Sequence, residues 1–236
     1  MGHPGGMNDA QKRNQRHQSK DMVTRPNLPP DLALEIALSQ KLGLTRIAGI
    51  DEAGRGALAG PVVAAAVILP LHDAGVLFAL DRVTDSKLLS AKEREGLFPL
   101  ICSRAMAYSI GFVSAEIIDA SGIMAATRQA MVEAVAQLMP AAEALLIDGR
   151  MRLPALSLPQ QDIIRGDQRS LSVAAASILA KVSRDRYMLD LDARYPGYGF
   201  ARHKGYGTVE HRQALDRLGA CPEHRLSFAP LRATLL

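Results

Sequence analysis

Residues 47–69 read IAGIDEAGRGALAGPVVAAAVIL, which is two apolar runs joined by a glycine-rich turn. The pattern predicts a hairpin-like pair of buried strands, at 46–52 and 61–69. Asp51 and Glu52 stand at the end of the first run, where buried carboxylates cost solvation free energy unless a cation offsets them. A divalent metal ion would offset both charges and leave the neighbouring Arg55 free to bind an anion.

On both sides of this pair in the sequence, apolar runs alternate with stretches that have helical periodicity. Further strands are predicted at 105–113 and 144–147, helices at 31–43, 115–139 and 172–186, and a turn followed by a helix over roughly 85–103. Ser90 and Glu93 have the spacing of a capping box, and Asp31 is placed to cap the first helix. Strands interleaved with helices predict an α/β fold, with a mixed sheet covered by helices on both faces.

The chain divides into four predicted segments. Residues 1–30 form a basic tail that is expected to be disordered, and residues 31–43 form an N-terminal helix. Residues 44–200 form the core of the fold. Residues 201–236 form a mostly helical C-terminal extension, which is punctuated by glycine and proline.

Composition is that of an ordinary globular protein, with 48% hydrophobic and 22% charged residues. We expect no membrane span and no secretory leader, because no apolar stretch of about 18 residues is free of breakers. Cys102 and Cys221 lack metal-ligand spacing and are expected to be reduced thiols in the cytoplasm. The net charge is +4 and both ends are basic, which suits either a polyanionic substrate or simple solubility.

Acidic residues recur at the ends of the apolar runs. The recurring residues are Asp51, Glu52, Asp148 and Asp167. If neighbouring strands align these ends, the carboxylates converge, and hard oxygen ligands without nearby cysteine or histidine favour Mg²⁺ or Mn²⁺. A pair of such ions would stabilise an in-line phosphoryl displacement. The alternative is that each aspartate begins a turn or caps a helix.

A glycine-rich loop and one tyrosine are candidates for substrate contact. Gly54, Arg55 and Gly56 would expose backbone amides beside a cation, although any tight turn could use the same residues. Tyr206 lies between two glycines in an aromatic-poor chain. Its ring either stacks on a sugar or base, or packs over the core beside a turn.

Ser177, Lys181 and Arg184 fall on one side of the helix predicted at 172–186. Their spacing of four and three residues places them along one helical face. Such a face is either a stripe that contacts phosphates or an ordinary solvated surface.

Together these residues resemble the ribonuclease HII family, the prokaryotic type 2 ribonucleases H. Matching segments follow the family's order and cover the chain from about residue 46 to about residue 230. They are GIDEAGRG at 49–56, AGPVVAAAV at 59–67, DSKLLS at 85–90, LLIDG at 145–149, RGDQRSLSVAAASILAKVSRDR at 165–186, HKGYGT at 203–208 and HRLSFAP at 224–230.

The resemblance implies a ribonuclease H-like fold, in which a mixed five-stranded sheet is flanked by helices and the C-terminal extension completes the substrate site. It implies hydrolysis of the RNA strand of RNA–DNA hybrids and incision at single ribonucleotides in duplex DNA, leaving 3′-hydroxyl and 5′-phosphate ends. By the same resemblance the cofactors are Mn²⁺ or Mg²⁺, with two ions per site.

The resemblance also implies roles for particular residues. Gly54, Arg55 and Gly56 would sense the ribose 2′-hydroxyl, and Tyr206 would stack on the deoxyribose across the scissile phosphate. The metal-binding catalytic residues would be Asp51, Glu52, Asp148 and Asp167. The set contains no dedicated nucleophile, so we expect direct hydrolysis by water without a covalent intermediate.

The chain departs from the family pattern at Gly122, where relatives often carry asparagine, and this leaves one secondary nucleic-acid contact open. Residues 1–43 are too few for the additional N-terminal domain of the related ribonuclease HIII family.

Two further functions stay open from the residues. One is a non-catalytic nucleic-acid-binding protein that uses the basic flanks, and the other is a two-metal DNA nuclease or resolvase. We expect a monomer; a sliding-clamp contact stays open, because the final residues, ATLL, show no clear clamp-binding peptide.

Overall fold

A mixed sheet forms the centre of the computed structural model, which describes residues 29–229 and 231. Within that range the sheet has five strands, in the spatial order β3-β2-β1-β4-β5. They are β1 (Ile47–Ala53), β2 (Val62–Ile68), β3 (Ala107–Val113), β4 (Ala144–Asp148) and β5 (Gln160–Ile163). β2 pairs antiparallel with β1 and β3, whereas β4 pairs parallel with β1 and β5. The predicted mixed α/β sheet is therefore confirmed.

Helices cover both faces of this sheet. In the described part of the chain they are α1 (Ala33–Leu42), α2 (Ala74–Ala79), α3 (Ala91–Arg104), α4 (Ala115–Ser121), α5 (Ile123–Ala136), α6 (Leu171–Arg194), α7 (Phe200–His203) and α8 (Val209–Leu218), with a 3₁₀ turn at Gly166–Gln168. The long helix α6 packs across β1 and β2 on one face, and α5 packs across β2 and β3 on the other. The short helices α7 and α8 join the C-terminal half of α6 in a separate apolar cluster.

Small residues allow the helices to lie directly on the sheet. β2 reads VVAAAVI and is buried along its whole length, with alternate residues packing under α5 and α6. Gly49 in β1 lies against the backbone of Ser172 and Val173, so closely that a Cβ atom there would collide with it. This contact fixes the N-terminal end of α6 beside β1, and the candidate site lies at the end of that strand.

The observed helices and strands differ at a few positions from those predicted from sequence patterns. The helix predicted at 115–139 is divided into α4 and α5 by Gly122, whose φ of +81° favours glycine. β5 was not predicted from the residues, because its polar sequence, QQDI, has no strand-like apolar pattern. Leu32 rather than Asp31 occupies the N-cap of α1, although Asp31 Oδ1 accepts a hydrogen bond from the Ala33 amide at 2.9 Å.

Other predictions agree with the structure. The capping box between Ser90 and Glu93 at the start of α3 is confirmed. None of the helices in residues 29–229 combines the length and apolar character that crossing a membrane requires. The tail predicted at 1–30 lies almost wholly outside the described residues, and the segments 31–43, 44–200 and 201–236 stay predictions.

Candidate active site

The ends of β1 and β4 bring acidic residues to the same edge of the sheet. These strands are parallel neighbours with Ile50 opposite Ile147, so the next residue on each is an aspartate, Asp51 and Asp148. The Gly166 amide donates to Asp148 Oδ1 at 2.7 Å, which holds the 3₁₀ turn against this edge. That turn carries Asp167, so the structure brings together the carboxylates predicted from sequence.

Burial and mutual repulsion act on these carboxyl groups. Burial raises the pKa of Asp51 well above its ordinary value, and the charges of Glu52 and Asp148 raise it further. Burial likewise raises the pKa of Glu52 and of Asp167. Asp51 and Asp167 are only 5% and 3% exposed, so water does little to screen the repulsion. The fully ionised group is therefore electrostatically unfavourable unless a cation lies near it.

One such cation belongs to the protein itself. Lys87 Nζ lies 3.4 Å from Asp167 Oδ2 and 3.9 Å from Asp85 Oδ1, while 78% of the lysine side chain stays exposed. Sequence reasoning did not assign Asp85 or Lys87 to the site. Both belong to the DSKLLS segment at 85–90, so that match was the signal for them.

The donor set fits a hard divalent cation. It consists of carboxylate oxygens, which are the ligands that Mg²⁺ and Mn²⁺ prefer. Across residues 29–229 and 231, no three Asp, Glu, His or Cys side chains stand in a ready coordination cluster. The carboxylates repel one another, and the flexible Lys87 ammonium partly neutralises Asp167. The donor chemistry of these residues therefore fits a divalent metal ion.

The loop after β1, residues 54–61 (hereafter the glycine loop), presents backbone to solvent at one point. Arg55 and Gly56 are exposed, whereas the rest of the loop is buried. A Cβ on Gly56 would have no atom within 4 Å, so a ligand can approach that backbone closely. Arg55 Nη1 donates to Glu52 Oε1 at 2.9 Å, which corrects the expectation that Arg55 is free.

Tyr206 lies against the glycine loop. The Leu58 amide donates to the Gly205 carbonyl at 2.8 Å, and Gly205, with φ of +78°, packs directly on the Ala59 carbonyl. The Tyr206 ring is 37% exposed, and its centroid lies 5.4 Å from the Arg184 guanidinium carbon. The ring is thus held beside the loop with one part open to a ligand.

The stripe predicted on α6 needs correction. Arg184 is 0% exposed, and its guanidinium donates only to backbone carbonyls, so it does not lie on a phosphate-facing surface. Ser177 is 4% exposed and shares a 2.8 Å hydrogen bond with Ser86 Oγ. Lys181 remains partly exposed and pairs with Asp185 at 2.6 Å. The helix rotates these side chains partly into the core, a feature that spacing alone does not reveal.

Comparison with known proteins agrees with this arrangement. The family model described as Ribonuclease HII matches residues 48–231. The ribonuclease HII of Geobacillus kaustophilus is 58% identical over 193 residues, which cover 82% of this chain and 72% of that protein. The ribonuclease HII of Halalkalibacterium halodurans is 49% identical over 229 residues, which cover 97% of this chain and 84% of that protein.

Solved structures show the same fold. The ribonuclease H2 from Pyrococcus horikoshii OT3 has a TM-score of 0.67 at 25% identity, covering 80% of this chain and 96% of that one. The ribonuclease HII from Archaeoglobus fulgidus, solved in a complex with PCNA, has a TM-score of 0.65 at 28% identity, covering 78% of this chain and 95% of that one. Family match, identity and fold agree, and we conclude that the chain belongs to the ribonuclease HII family of endoribonucleases, which act on RNA–DNA hybrids.

Proposed function

We propose that this chain is a divalent-metal-dependent endonuclease that cuts the RNA strand of hybrids and incises at single ribonucleotides in duplex DNA. The products would carry 3′-hydroxyl and 5′-phosphate ends. The main support for the proposal is that the acidic end of β1 leads directly into the glycine loop, whose backbone is exposed at Gly56. Gly56 follows Glu52 by only four residues, and Arg55 between them donates a hydrogen bond back to Glu52.

The metal-holding residues in this proposal are Asp51, Glu52, Asp148 and Asp167. When bound by these residues, a pair of Mg²⁺ or Mn²⁺ ions would supply positive charge at the phosphate and make water a better nucleophile. The protein's own contribution is to place these oxygens on two adjacent strand ends and one rigid turn. Lys87 would add positive charge where the phosphate enters, because its ammonium group is largely exposed beside Asp167.

Water is the proposed nucleophile. The Ser177 hydroxyl lies beside Asp51, but it is buried and already shares a hydrogen bond with Ser86. A hydroxyl committed in this way is a poor attacking group, since nucleophilic serine needs an adjacent general base. Direct hydrolysis without a covalent intermediate is therefore the proposed route.

Recognition of a ribonucleotide requires groups that detect one hydroxyl. The 2′-hydroxyl both donates and accepts hydrogen bonds, and it alone distinguishes RNA from DNA at a given sugar. Open backbone at Gly56 supports such detection, since a side chain there would fill the space that the sugar needs. The partial exposure of Tyr206 supports stacking of its ring on the neighbouring deoxyribose.

Matched duplexes test this proposal. One is all DNA, one contains a single ribonucleotide, and one is an RNA–DNA hybrid; each is incubated with Mg²⁺, with Mn²⁺ or with chelator. We expect rapid cleavage of the second and third and only trace cleavage of the all-DNA duplex at high enzyme concentration, in each case only with metal and with ligatable 5′-phosphate ends at the cut. Equal cleavage of the all-DNA duplex would indicate a DNA nuclease instead. Salt-dependent binding without any product would indicate a binding protein.

Assembly and location are separate proposals. We propose that the chain is a monomer. We also propose that it works in the cytoplasm, a location that the free thiols of Cys102 and Cys221 support. Light scattering of the purified chain tests the monomer, and a dimer mass would contradict it. The PCNA complex of the Archaeoglobus fulgidus relative makes clamp binding worth testing for this chain by gel filtration with its own sliding clamp.

A further inference from the structure

Arg184 and Arg225 are both 0% exposed. Among residues 29–229 and 231 neither forms an ion pair, so both guanidinium groups are buried without a carboxylate partner. Burying a charge without a counter-charge is unfavourable, and two like charges near each other add to this cost. Such a pair is retained only where its hydrogen bonds stabilise an arrangement that uncharged side chains could not hold.

Arg225 holds the glycine loop. Its Nε and Nη2 donate to the Gly60 carbonyl at 3.0 and 2.8 Å, and its Nη1 donates to the Arg55 carbonyl at 2.9 Å. The Arg225 amide also donates to the Leu58 carbonyl at 2.8 Å. One residue thereby holds the loop at Arg55, Leu58 and Gly60, and the carbonyl at Arg55 directly precedes Gly56.

Arg184 joins the same loop to the Tyr206 turn, which comprises residues 204–207. Its Nε and Nη2 donate to the carbonyls of Pro61 and Ala59, both at 3.0 Å. Its Nη1 donates to the Lys204 carbonyl at 2.9 Å. Lys204 has φ of +52°, a left-handed conformation that is unusual for lysine and that this bond helps to hold.

The planar guanidinium group explains why arginine, and not lysine, occupies these two positions. Each guanidinium satisfies three donor–acceptor contacts in fixed directions, which the point charge of a lysine cannot reproduce. Burial lowers the pKa of both guanidinium groups, and that of Arg225 is lowered to about 9, so Arg225 remains charged at neutral pH.

We propose that Arg225 and Arg184 are positioning residues that set the selectivity for a ribonucleotide over a deoxyribonucleotide. They would do so by holding the glycine loop and the Tyr206 turn in one fixed arrangement around the sugar. The inference rests on the proposed function, because it assigns the cause of that function's selectivity. A single hydroxyl can be detected only if its partners are held within a fraction of an ångström.

Replacement of Arg225 by lysine tests this positioning. Arg225→Lys keeps the charge but loses the fork, so we expect the ratio of kcat/KM for a single-ribonucleotide duplex to that for an all-DNA duplex to fall about 10-fold or more. The loss should lie in kcat, with KM nearly unchanged, because phosphate contacts remain. Arg186→Lys is the matched control, since Arg186 lies on α6 and bonds the exposed Glu95. It should keep the wild-type ratio.

The outcomes separate the inference from the proposed function. A variant that loses activity equally on all duplexes, with its selectivity ratio intact, would overturn the positioning role. A wild-type chain without ribonucleotide preference would overturn the proposed function itself.

Amide hydrogen exchange on the wild-type chain gives an answer even if the variant does not fold. The Leu58 and Gly60 amides donate to carbonyls of Gly205 and Glu223, both at 2.8 Å. In the free protein we expect their protection to match that of β1. Rapid exchange at both amides would overturn the inference.

Discussion

At the scale of single residues, charge rather than shape distinguishes the candidate site. Asp51 and Asp167 are nearly inaccessible to water, yet each lies near other carboxylates. Negative groups in this position hinder the binding of a phosphate unless cations accompany it. The site is therefore better suited to metal-assisted cleavage than to simple binding of nucleic acid.

Asp148→Asn tests the charge without disturbing the shape. The amide oxygen can still accept the hydrogen bond from the Gly166 amide, so the fold should persist. We expect cleavage of a hybrid to fall about 10³-fold or more, while its dissociation constant stays within about 3-fold. Asp162→Asn on the adjacent β5 is the control, because Asp162 is exposed and pairs only loosely with Arg152 at 3.6 Å. Cleavage by Asp148→Asn at the wild-type rate would contradict the assignment.

At the scale of elements, the contact between β1 and α6 determines where the site forms. β1 carries Asp51 and Glu52 just before its last residue, and α6 begins just after the turn that carries Asp167. Gly49 allows these two elements to touch through their backbones. The distance between the acidic segments therefore depends on a residue that has no side chain.

Gly49→Ala tests this contact. The new methyl group would collide with the backbone of Ser172 and Val173, which cannot rotate away as a flexible side chain could. We expect a loss of about 3 kcal/mol in the free energy of unfolding, measured by urea denaturation. Gly96→Ala in α3 is the control: its Cβ meets nothing within 4 Å, so a gain of about 0.5–1 kcal/mol is expected. Equal stability of the two variants would refute the close contact.

A chain of hydrogen bonds holds the Tyr206 turn from its other side. The Cys221 amide donates to His224 Nδ1 at 2.9 Å, so that ring carries its proton on Nε2. This proton is donated to His211 Nε2 at 3.0 Å, and His211 Nδ1 in turn donates to the Tyr206 carbonyl at 3.1 Å. Both histidines are therefore neutral in this arrangement.

The chain of histidines predicts a loss of stability in mild acid. Burial lowers the pKa of His211 from 6.5 to about 4, so between these values only the unfolded chain takes up the proton. Neutral His211 contributes up to about 3 kcal/mol to the free energy of unfolding. This contribution is complete above pH 6.5 and is lost as the pH falls towards 4.

Urea unfolding at pH 7.5 and at pH 5 measures this loss in the wild type, in His211→Gln and in His72→Gln. The loss should shrink in His211→Gln and persist in His72→Gln, where the residue is exposed. The raised pKa of Asp51 acts in the opposite sense but is common to all three chains. An unchanged loss in His211→Gln would contradict the prediction.

At the scale of the whole molecule, the sequence predicts the parts that depend on local pattern. Alternating strands and helices and the acidic strand ends follow from apolar periodicity, and the family resemblance is confirmed by the match over residues 48–231. The polar strand β5 is not predicted from its sequence, because its place in the sheet comes from pairing with β4 rather than from its own residues. The break between α4 and α5 at Gly122 is not predicted either, because helical periodicity continues through it.

The buried arginines could not be predicted, for a related reason. Arg184 has helical spacing with Ser177 and Lys181, and spacing alone places it on a surface. Two of its three partners are carbonyls more than 120 residues earlier in the chain, those of Ala59 and Pro61. Contacts of this range are fixed by the assembled fold, so the positioning of the glycine loop became visible only in three dimensions.

The central claim is that the acidic strand ends form a metal centre next to a sensor of ribonucleotides. Anomalous diffraction from crystals of the chain with Mn²⁺ and a single-ribonucleotide duplex tests it most directly. We expect Mn²⁺ peaks within about 2.5 Å of oxygens of Asp51 and Asp148, with the ribose next to Gly56. Peaks that lie elsewhere, or a duplex bound away from these carboxylates, would contradict it.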